Sequence, residues 1–484
     1  MQQKIMKIWG PPGTGKTTHL LDIVDNAIRS GIDPERIAFM AFTKKAAEEA
    51  SSRAITRFGL PKERFPWFRT LHSMAFKQLG IQRNDVMQEE HYKELGYELG
   101  YQFSDLDSVA MVPAGTTLGD KVARIESLAR LRCVGIEQQW VDSNFRDVEY
   151  AAVQQWCAGV QRFKESRGLL DYTDMLEQCE APIDVDLFII DEAQDLSPLQ
   201  WNVIEQSSSM AKDIYLAGDD DQALYDWAGA DPAQFINHAG NSRILPQSYR
   251  IPRQVQALAQ TVLDGIKMRQ PKNWQPRAAE GLVARVMYEH AVDISSGTWL
   301  LLARNHQTLS RFENLVKSLG YPYIKEGVHS TDNPTSKAIV LWERWRKGQP
   351  LERKDVKAIS KLLPALQDWA PAGMSYLKDA PLPSGFAELS WMDALQIQPR
   401  KREYIRACLA NGESLFGKPR ITISTIHRAK GGEAEHVVLI PDLTAQPWAQ
   451  MHTDSELRVL YVALTRAKES LTIIQPQSPR FYNI

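Results

Sequence analysis

The sequence predicts an α/β protein with two α/β cores, each interrupted by a mainly helical insertion. Three observations carry this. A strand, a glycine-rich loop and a helix follow one another at the amino terminus. Short apolar runs ending in acidic clusters occur at 185–190 and 214–217. A second series of strand-sized apolar runs starts near Ile244. At roughly 150 residues per domain, 484 residues suit about three compact units.

In chain order, Lys4–Trp9 alternates polar and apolar residues, the period of a half-buried strand. GPPGTGKT follows, and then residues 18–30 place Leu20, Leu21, Ile23, Val24, Ala27 and Ile28 at helical spacing. Residues 36–42 (RIAFMAF) predict a second strand, and 45–57, rich in Ala and Glu, a helix. From Phe76 to about Arg167 the pattern is polar and helical, broken by VPAGTT at 112–117, and predicts an inserted helical unit. Beyond the strands at 185–190 and 214–217, the second core has strand signals at 297–303, 421–424, 437–440 and 471–474. Between Lys325 and Pro419, prolines and interleaved Trp and basic residues predict a second insertion.

Composition narrows the class. Hydrophobic residues make up 43% and charged residues 24%, which excludes disordered and collagen-like chains. Apolar runs such as 188–190, 299–303 and 437–440 fall far short of the ~18 residues a spanning helix needs. MQQKIMKIWGPPG reaches Pro11 before any hydrophobic segment develops, so no secretory signal is expected. Together these imply a soluble, cytoplasmic protein with no membrane partner. Cys133, Cys157, Cys179 and Cys408 lack ligand spacing and are expected as free thiols. The net charge of −2 is silent about a polyanion partner, which would need cations gathered locally.

Residues 10–17 match GxxxxGK[ST] in full, between a predicted strand and a predicted helix. Gly10, Gly13 and Gly15 let backbone N–H groups close around phosphate oxygens, with Pro11, Pro12, Thr14 and Thr18 completing the loop and first turn. Lys16 would bridge the outer phosphates and the Thr17 hydroxyl would ligate Mg²⁺. Asp191 and Glu192 end the strand VDLFII. Asp191 can hold Mg²⁺ through water, and Glu192 can orient or deprotonate an attacking water. An acidic helix cap is the plainer alternative for the pair, and the upstream loop favours the catalytic reading: an NTPase using Mg²⁺.

Further segments fall into the order of a known family. AFTKKAAEEASSR (41–53), RTLHS (69–73), LLDYTDML (169–176), GDDDQALYDWAGAD (218–231), LPQSYR (245–250), WLLLARNHQTLSRFENLVKSLGYPY (299–323), TIHRAKGGE (425–433) and ELRVLYVALTRAK (456–468) appear in sequence. With them the chain resembles the UvrD/Rep family of superfamily 1 DNA helicases, from Gly10 to Lys468. The resemblance implies two RecA-like P-loop lobes of parallel sheet flanked by helices, with ATP at their interface and single-stranded DNA crossing both. Its boundaries here would be 1–75 and 168–243 for the first lobe, with insert 76–167. The second lobe would take 244–325 and 420–484, with a reduced insert 326–419.

Carried over residue by residue, the resemblance makes Gln222 a γ-phosphate sensor. Arg250 and Arg466 would reach the phosphates from the second lobe, Tyr249 would stack on adenine, and Glu433 would contact the ribose. Tyr225 and Trp227 match the pair on which bases stack. Phe42, Thr43, His72, Arg304, Asn305, Thr425 and His427 match positions along the DNA track. The implied function is an ATP-dependent helicase moving 3′→5′ on single strands and acting at single-strand/duplex junctions. A translocase that strips proteins from DNA, and a clamp using ATP only as a conformational ligand, are the rivals. The intact catalytic set argues against the clamp.

Several positions depart from the family pattern. Nine residues before Gly10 leave no room for an upstream adenine-reading glutamine, and Gln2 and Gln3 lie too close to serve. Ala228 stands where relatives often carry Arg, Lys44 replaces Asn, and KGGE replaces KGLE. The short second insert and the end soon after Lys468 suggest a reduced motor of phage or plasmid origin, without an appended nuclease. Basic stretches at 342–361 and 399–406 fit either a grip on duplex DNA or a solvated helix face.

Overall fold

A computed structural model describes residues 3–104, 115–143 and 145–484. Gln2, and residues 112–114 of the expected VPAGTT break, lie outside the described residues. The chain divides into two compact units. The first comprises Met1–Ile251, Gln260–Ala279 and His452–Tyr461; the second comprises Pro252–Ala259, Glu280–Met451 and Val462–Ile484.

Among the described residues the first unit holds a six-stranded, wholly parallel sheet. Its strands are β1 (Lys4–Trp9), β2 (Ile37–Ala41), β3 (Trp67–Thr70), β4 (Leu187–Ile190), β5 (Asp213–Gly218) and β6 (Asn241–Ile244), in the order β3-β2-β4-β5-β1-β6. Every residue of β2 and β4 is buried, as expected for a parallel sheet covered on both faces. The two-residue period sorts them. Ala38, Met40, Phe188 and Ile190 pack with Trp9, Trp201 and Phe235 on one face; Ile37, Phe39, Leu187 and Ile189 pack with Leu20, Leu21 and Val24 on the other. A one-residue slip would exchange the two faces, so the register is strongly specified. The pairs Ile190↔Leu216 and Trp9↔Gly218 align the carboxyl ends of β4, β5 and β1 side by side. That is the edge where open α/β sheets bind ligands.

Between β3 and β4 run the helices Leu71–Leu79, Glu89–Leu99, Leu118–Leu131, Ile136–Asp142, Tyr150–Arg167 and Tyr172–Glu177. Val122, Ile125, Val153, Trp156 and Phe163 give most of them a core of their own. Ion pairs fasten this layer to the segment before β4. Arg130 lies 2.9 Å from Asp171 and 2.5 Å from Asp174, and Lys164 reaches the same two carboxylates at 2.6 and 2.7 Å.

The second unit has β7 (Leu282–Val286), β8 (Trp299–Ala303), β9 (Tyr323–Lys325), β10 (Val328–His329), β11 (Ile421–Thr425), β12 (Ala434–Ile440) and β13 (Ala467–Ile474), in the order β10-β9-β11-β8-β12-β13-β7. All its pairs are parallel except β9–β10. Leu301, Ile423 and Val438 pack against Leu309, Phe312 and Val316 of helix His306–Ser318. Between β10 and β11, helices Pro334–Arg346, Arg353–Ser360 and Pro399–Ala410 enclose a core of Trp342, Trp345, Leu366, Ile405 and Cys408. In the stretch at 342–361 the tryptophans are core and Arg344, Arg346 and Lys347 face solvent, an arrangement that a grip on duplex DNA and a solvated helix face would both require.

Trp345 is fully buried, and its Nε1 donates to the Ser375 carbonyl at 3.0 Å. Trp345→Ala should therefore lower stability by about 3–5 kcal/mol, read as a reduced midpoint in chemical denaturation.

Candidate nucleotide site and nucleic-acid face

The loop from Gly10 to Thr17 leaves β1 and enters helix Lys16–Arg29. Gly13 and Gly15 have φ of +72° and +74°, the left-handed region glycine tolerates best. Gly13 has a second reason to lack a side chain: a Cβ there would lie 2.3 Å from the Arg250 Cβ. The loop is braced from both sides. Gly10 N–H donates to the Gly218 carbonyl at 2.9 Å, and the Thr14 hydroxyl to that of Pro11 at 2.8 Å. Pro11 and Pro12 are buried, while Thr18 is exposed in the helix's first turn.

The end of β4 supplies the acids. Lys16 Nζ lies 3.0 Å from Glu192 Oε1 and 3.9 Å from Asp191 Oδ1, and Thr17 Oγ1 donates to Asp191 Oδ2 at 3.1 Å. Burial, reinforced by the charge of Glu192, pushes the Asp191 carboxyl up to about 6, against the pull of Lys16. Burial works against the Lys16 ammonium, but Glu192, Asp191 and Asp219 outweigh it and its pKa rises. A hydroxyl hydrogen-bonded to a buried carboxylate is a donor set that fits a hard cation such as Mg²⁺. Glu192 adopts φ +60°, a left-handed conformation uncommon outside glycine.

From Glu192 a chain of hydrogen bonds runs into the next strand end. Gln194 Nε2 donates to Glu192 Oε2 at 2.5 Å, and Gln194 Oε1 accepts from Asp219 N–H at 2.9 Å. Gln222 Nε2 donates to Asp219 Oδ2 at 2.6 Å. Gly218 makes this possible, since a Cβ there would come within 2.4 Å of Gln194 Oε1.

Asp219, Asp220 and Asp221 are all fully buried, three acidic groups close enough together to hold a cation. The cation among them is the Lys272 ammonium, itself buried, 3.0 Å from Asp219, 2.9 Å from Asp221 and in contact with Asp220. Arg269 grips Asp221 with two bonds of 2.8 and 2.7 Å, and the Gln270 N–H donates to Asp220 at 2.7 Å. Burial opposes the Asp221 charge, yet Arg269 and Lys272 hold its carboxyl below the usual range. Gln194, Lys272 and Arg269 were not singled out from the sequence. Gln194 carried only its place in the acidic cluster after β4, and RQPKNW has no spacing that announces a buried ammonium.

Arg250 and Tyr249, expected from the second lobe, belong to the first unit. The reason is local packing on the phosphate loop. Tyr249 N–H donates to the Gly13 carbonyl at 2.8 Å, and the Ser248 hydroxyl to that of Pro12 at 2.7 Å. The Tyr249 ring is 74% exposed beside this loop. Arg466 and Glu433 lie in the second unit. Arg466 is buried, with Nε donating to the Val462 carbonyl at 3.0 Å and Nη1 to that of Gly432 at 3.2 Å. Glu433 pairs with Lys468 at 2.5 Å.

The aromatic candidates of the first unit come together. Phe42 stacks on Tyr225 with ring centroids 4.9 Å apart, and Tyr225 lies 6.4 Å from Trp227. Phe42, His72, Tyr225 and Ala228 line one cleft with Tyr172 and Asp195. Thr43 caps helix Lys44–Phe58, its hydroxyl accepting from Ala46 N–H at 3.2 Å. In the second unit Arg304 and Asn305 follow β8, and Thr425 and His427 lie at the end of its neighbour β11, where Thr425 pairs with Ala303. Thr425 is buried, and the Asn305 side-chain oxygen accepts from the Thr444 hydroxyl at 3.1 Å. Burial pushes His72 down to about 4 and His427 to about 3, so both imidazoles are neutral at pH 7.

Comparison with known proteins adds an independent line. The model of the UvrD/REP helicase N-terminal domain matches residues 1–242, half of the chain, and that of the UvrD-like helicase C-terminal domain matches 420–474. YjcD of Bacillus subtilis (strain 168) is 24% identical over 247 residues, 46% of this chain and 31% of YjcD. The ATP-dependent DNA helicase UvrD2 of Mycobacterium tuberculosis (strain ATCC 25618 / H37Rv) is 23% identical over 539 residues, 95% of this chain and 75% of UvrD2. The ATP-dependent DNA helicase PcrA of Staphylococcus aureus (strain Mu50 / ATCC 700699) is 25% identical over 291 residues, 54% of this chain and 38% of PcrA. The matched region thus spans about a third of YjcD and PcrA and three quarters of UvrD2.

Removing a buried counter-charge exposes its cost. Lys272→Met should lower stability by about 3–5 kcal/mol, because it strands carboxylates that cannot reach water. The charge-balanced pair Lys272→Met with Asp220→Asn should recover a large part of that loss, as measured by denaturant midpoint.

Proposed function

This chain belongs to the UvrD/REP helicase family, and on that premise we propose that it is an ATP-driven DNA helicase that moves 3′→5′ along single strands and unwinds duplexes at single-strand/duplex junctions. The observation that carries the reading is the hydrogen-bonded path Lys16–Glu192–Gln194–Asp219–Gln222. It starts at the phosphate loop and ends in the loop that bears Tyr225 and Trp227, so a change at the outer phosphate has a built route to the aromatic platform. The direction of travel is the family's.

In this reading Gly10–Thr17 closes its N–H groups around the triphosphate, and Lys16 exchanges Glu192 for the outer phosphate oxygens. Thr17 and Asp191 would hold Mg²⁺, which supplies charge neutralisation for phosphoryl transfer. Glu192, once released by Lys16, keeps its bond from Gln194 and is free to orient and deprotonate water. Gln222 senses the γ-phosphate, and Arg250, packed on Gly13, donates to the transferred group. Tyr249 offers its exposed ring to adenine. In the second unit Arg466 and Glu433 keep the nucleotide roles, and Arg304, Asn305, Thr425 and His427 the DNA roles, that the resemblance implies. Bases stack on Tyr225 and Trp227, worth ~1–3 kcal/mol each and indifferent to sequence. Phe42, Thr43 and His72 complete that face.

Lys16→Ala should lower ATP turnover by at least about a hundredfold, the usual cost of losing a preorganised donor to a developing charge. Single-strand binding should stay largely intact; comparable loss of both would contradict the separation of phosphate grip and DNA face. Trp227→Ala should weaken DNA-stimulated ATPase more than basal ATPase, and an equal effect on both would assign the ring to the core. Given ATP, duplexes with only a 3′ tail should be unwound and those with only a 5′ tail left paired. The reverse preference would overturn the direction, and ATPase indifferent to added oligonucleotide would overturn the motor.

A further inference from the structure

The loop at 218–231 presents Tyr225 and Trp227, yet its own charge opposes a polyanion. It carries Asp219, Asp220, Asp221, Asp226 and Asp231 and no Lys or Arg. Lys272 and Arg269 neutralise the buried triplet from within, which leaves the aromatic end without a cation of its own. Two guanidinium groups are brought there by a different element. Arg124 and Arg132 lie on and just after helix Leu118–Leu131, part of the helical layer inserted between β3 and β4. Arg124 sits over the Trp227 ring, 5.7 Å from its centroid, with Phe145 at 6.0 Å, and its Nη2 donates to the Trp227 carbonyl at 3.2 Å. Arg132 Nη2 donates to the Asp226 carbonyl at 2.8 Å and its Nη1 to Gln139 at 3.2 Å.

Neither guanidinium is ion-paired among the described residues, and both are half-buried. Their neighbour Arg130, on the same helix, is held by Glu126, Asp171, Asp174 and Glu177. Asp226, whose charge acts on Arg124, accepts the Trp227 N–H on its Oδ1 at 2.8 Å. Burial, with the like charge of Arg132, depresses the Arg124 pKa against the opposing pull of the Asp226 carboxylate. A guanidinium has five N–H donors in a planar fork, so one carbonyl contact leaves donors for a phosphate.

We propose that Arg124 and Arg132 are phosphodiester contacts of the nucleic-acid face, supplying from the inserted layer the positive charge that the 218–231 loop lacks. The strand's phosphates meet the two forks while its bases reach Tyr225 and Trp227. This rests on the nucleic-acid reading given above and extends it to two residues that no motif marks.

The test is the salt dependence of binding to a fluorescent deoxythymidine oligonucleotide, measured with the full chain. Each phosphate contact on a single strand contributes about 0.7 to the slope of log K against log salt. Arg124→Gln and Arg132→Gln should each flatten the slope by about 0.7 and weaken binding about fivefold at 0.1 M salt, with losses adding in the double variant. Arg124→Lys should keep the wild-type slope, because an ammonium still pairs with phosphate as a point charge. A purely structural role would move thermal stability and leave the slope where it was, and that result overturns the proposal. Should Arg124→Gln not fold, Arg132→Gln must still lose its share, and an unchanged slope there overturns it equally. A wild-type chain that does not bind the oligonucleotide at all would overturn the nucleic-acid reading itself, and the proposal with it.

Discussion

Buried acid has to be neutralised where it stands, and in the first unit that requirement organises everything else. Asp191, Glu192, Asp219, Asp220 and Asp221 gather at the adjoining carboxyl ends of β4 and β5, beside the loop that leaves β1. An ionised carboxylate taken from water costs several kcal/mol unless it gains a partner. Three cations provide that partnership: Lys16 for the pair after β4, and Lys272 with Arg269 for the triplet after β5. The arrangement leaves Lys16 as the one of the three whose partners face the phosphate loop. A nucleotide's phosphates can compete for it there without disturbing the triplet.

The same constraint fixes the loop that follows β5. With its first half locked by Lys272, Arg269 and the Gln194–Asp219 bond, the turn carrying Tyr225 and Trp227 starts from a defined place. Gly218 and Gly13 serve this compactness differently. Gly218 admits the Gln194 amide, and Gly13 admits the backbone that carries Arg250. The left-handed Glu192 belongs to the same economy of space, since it aims one carboxylate at both Lys16 and Gln194. Strain at such a position persists only where its surroundings over-determine it, and here two hydrogen-bond donors do so.

The helical layer between β3 and β4 is more than a spacer. One of its helices is clamped through Arg130 to the segment ahead of β4, and its neighbouring arginines lie against the Asp226–Trp227 backbone. An insertion thus shares in shaping the face that the aromatic pair presents. The insertion of the second unit buries Trp342 and Trp345 and leaves Arg344, Arg346 and Lys347 in solvent.

The α/β class, the phosphate loop, the acid pair after β4 and the family were all legible in the residues. Each is written in local periodicity or in contiguous spacing. The strands β3 (WFRT) and β6 (NSRI) were not, because polar residues fill half or more of each, and neither were β7, β9 and β10 of the second unit. The placement of Arg250 with the first unit, the burial of Lys272 among three aspartates and the approach of Arg124 to Trp227 were not legible either. Each joins residues far apart in the chain, and a charge carries no mark in sequence of which opposite charge it will meet. Sequence alone determined which chemical groups the protein has and the order in which they come. Only the tertiary structure decided which of them meet, because desolvation and pairing depend on distance in space.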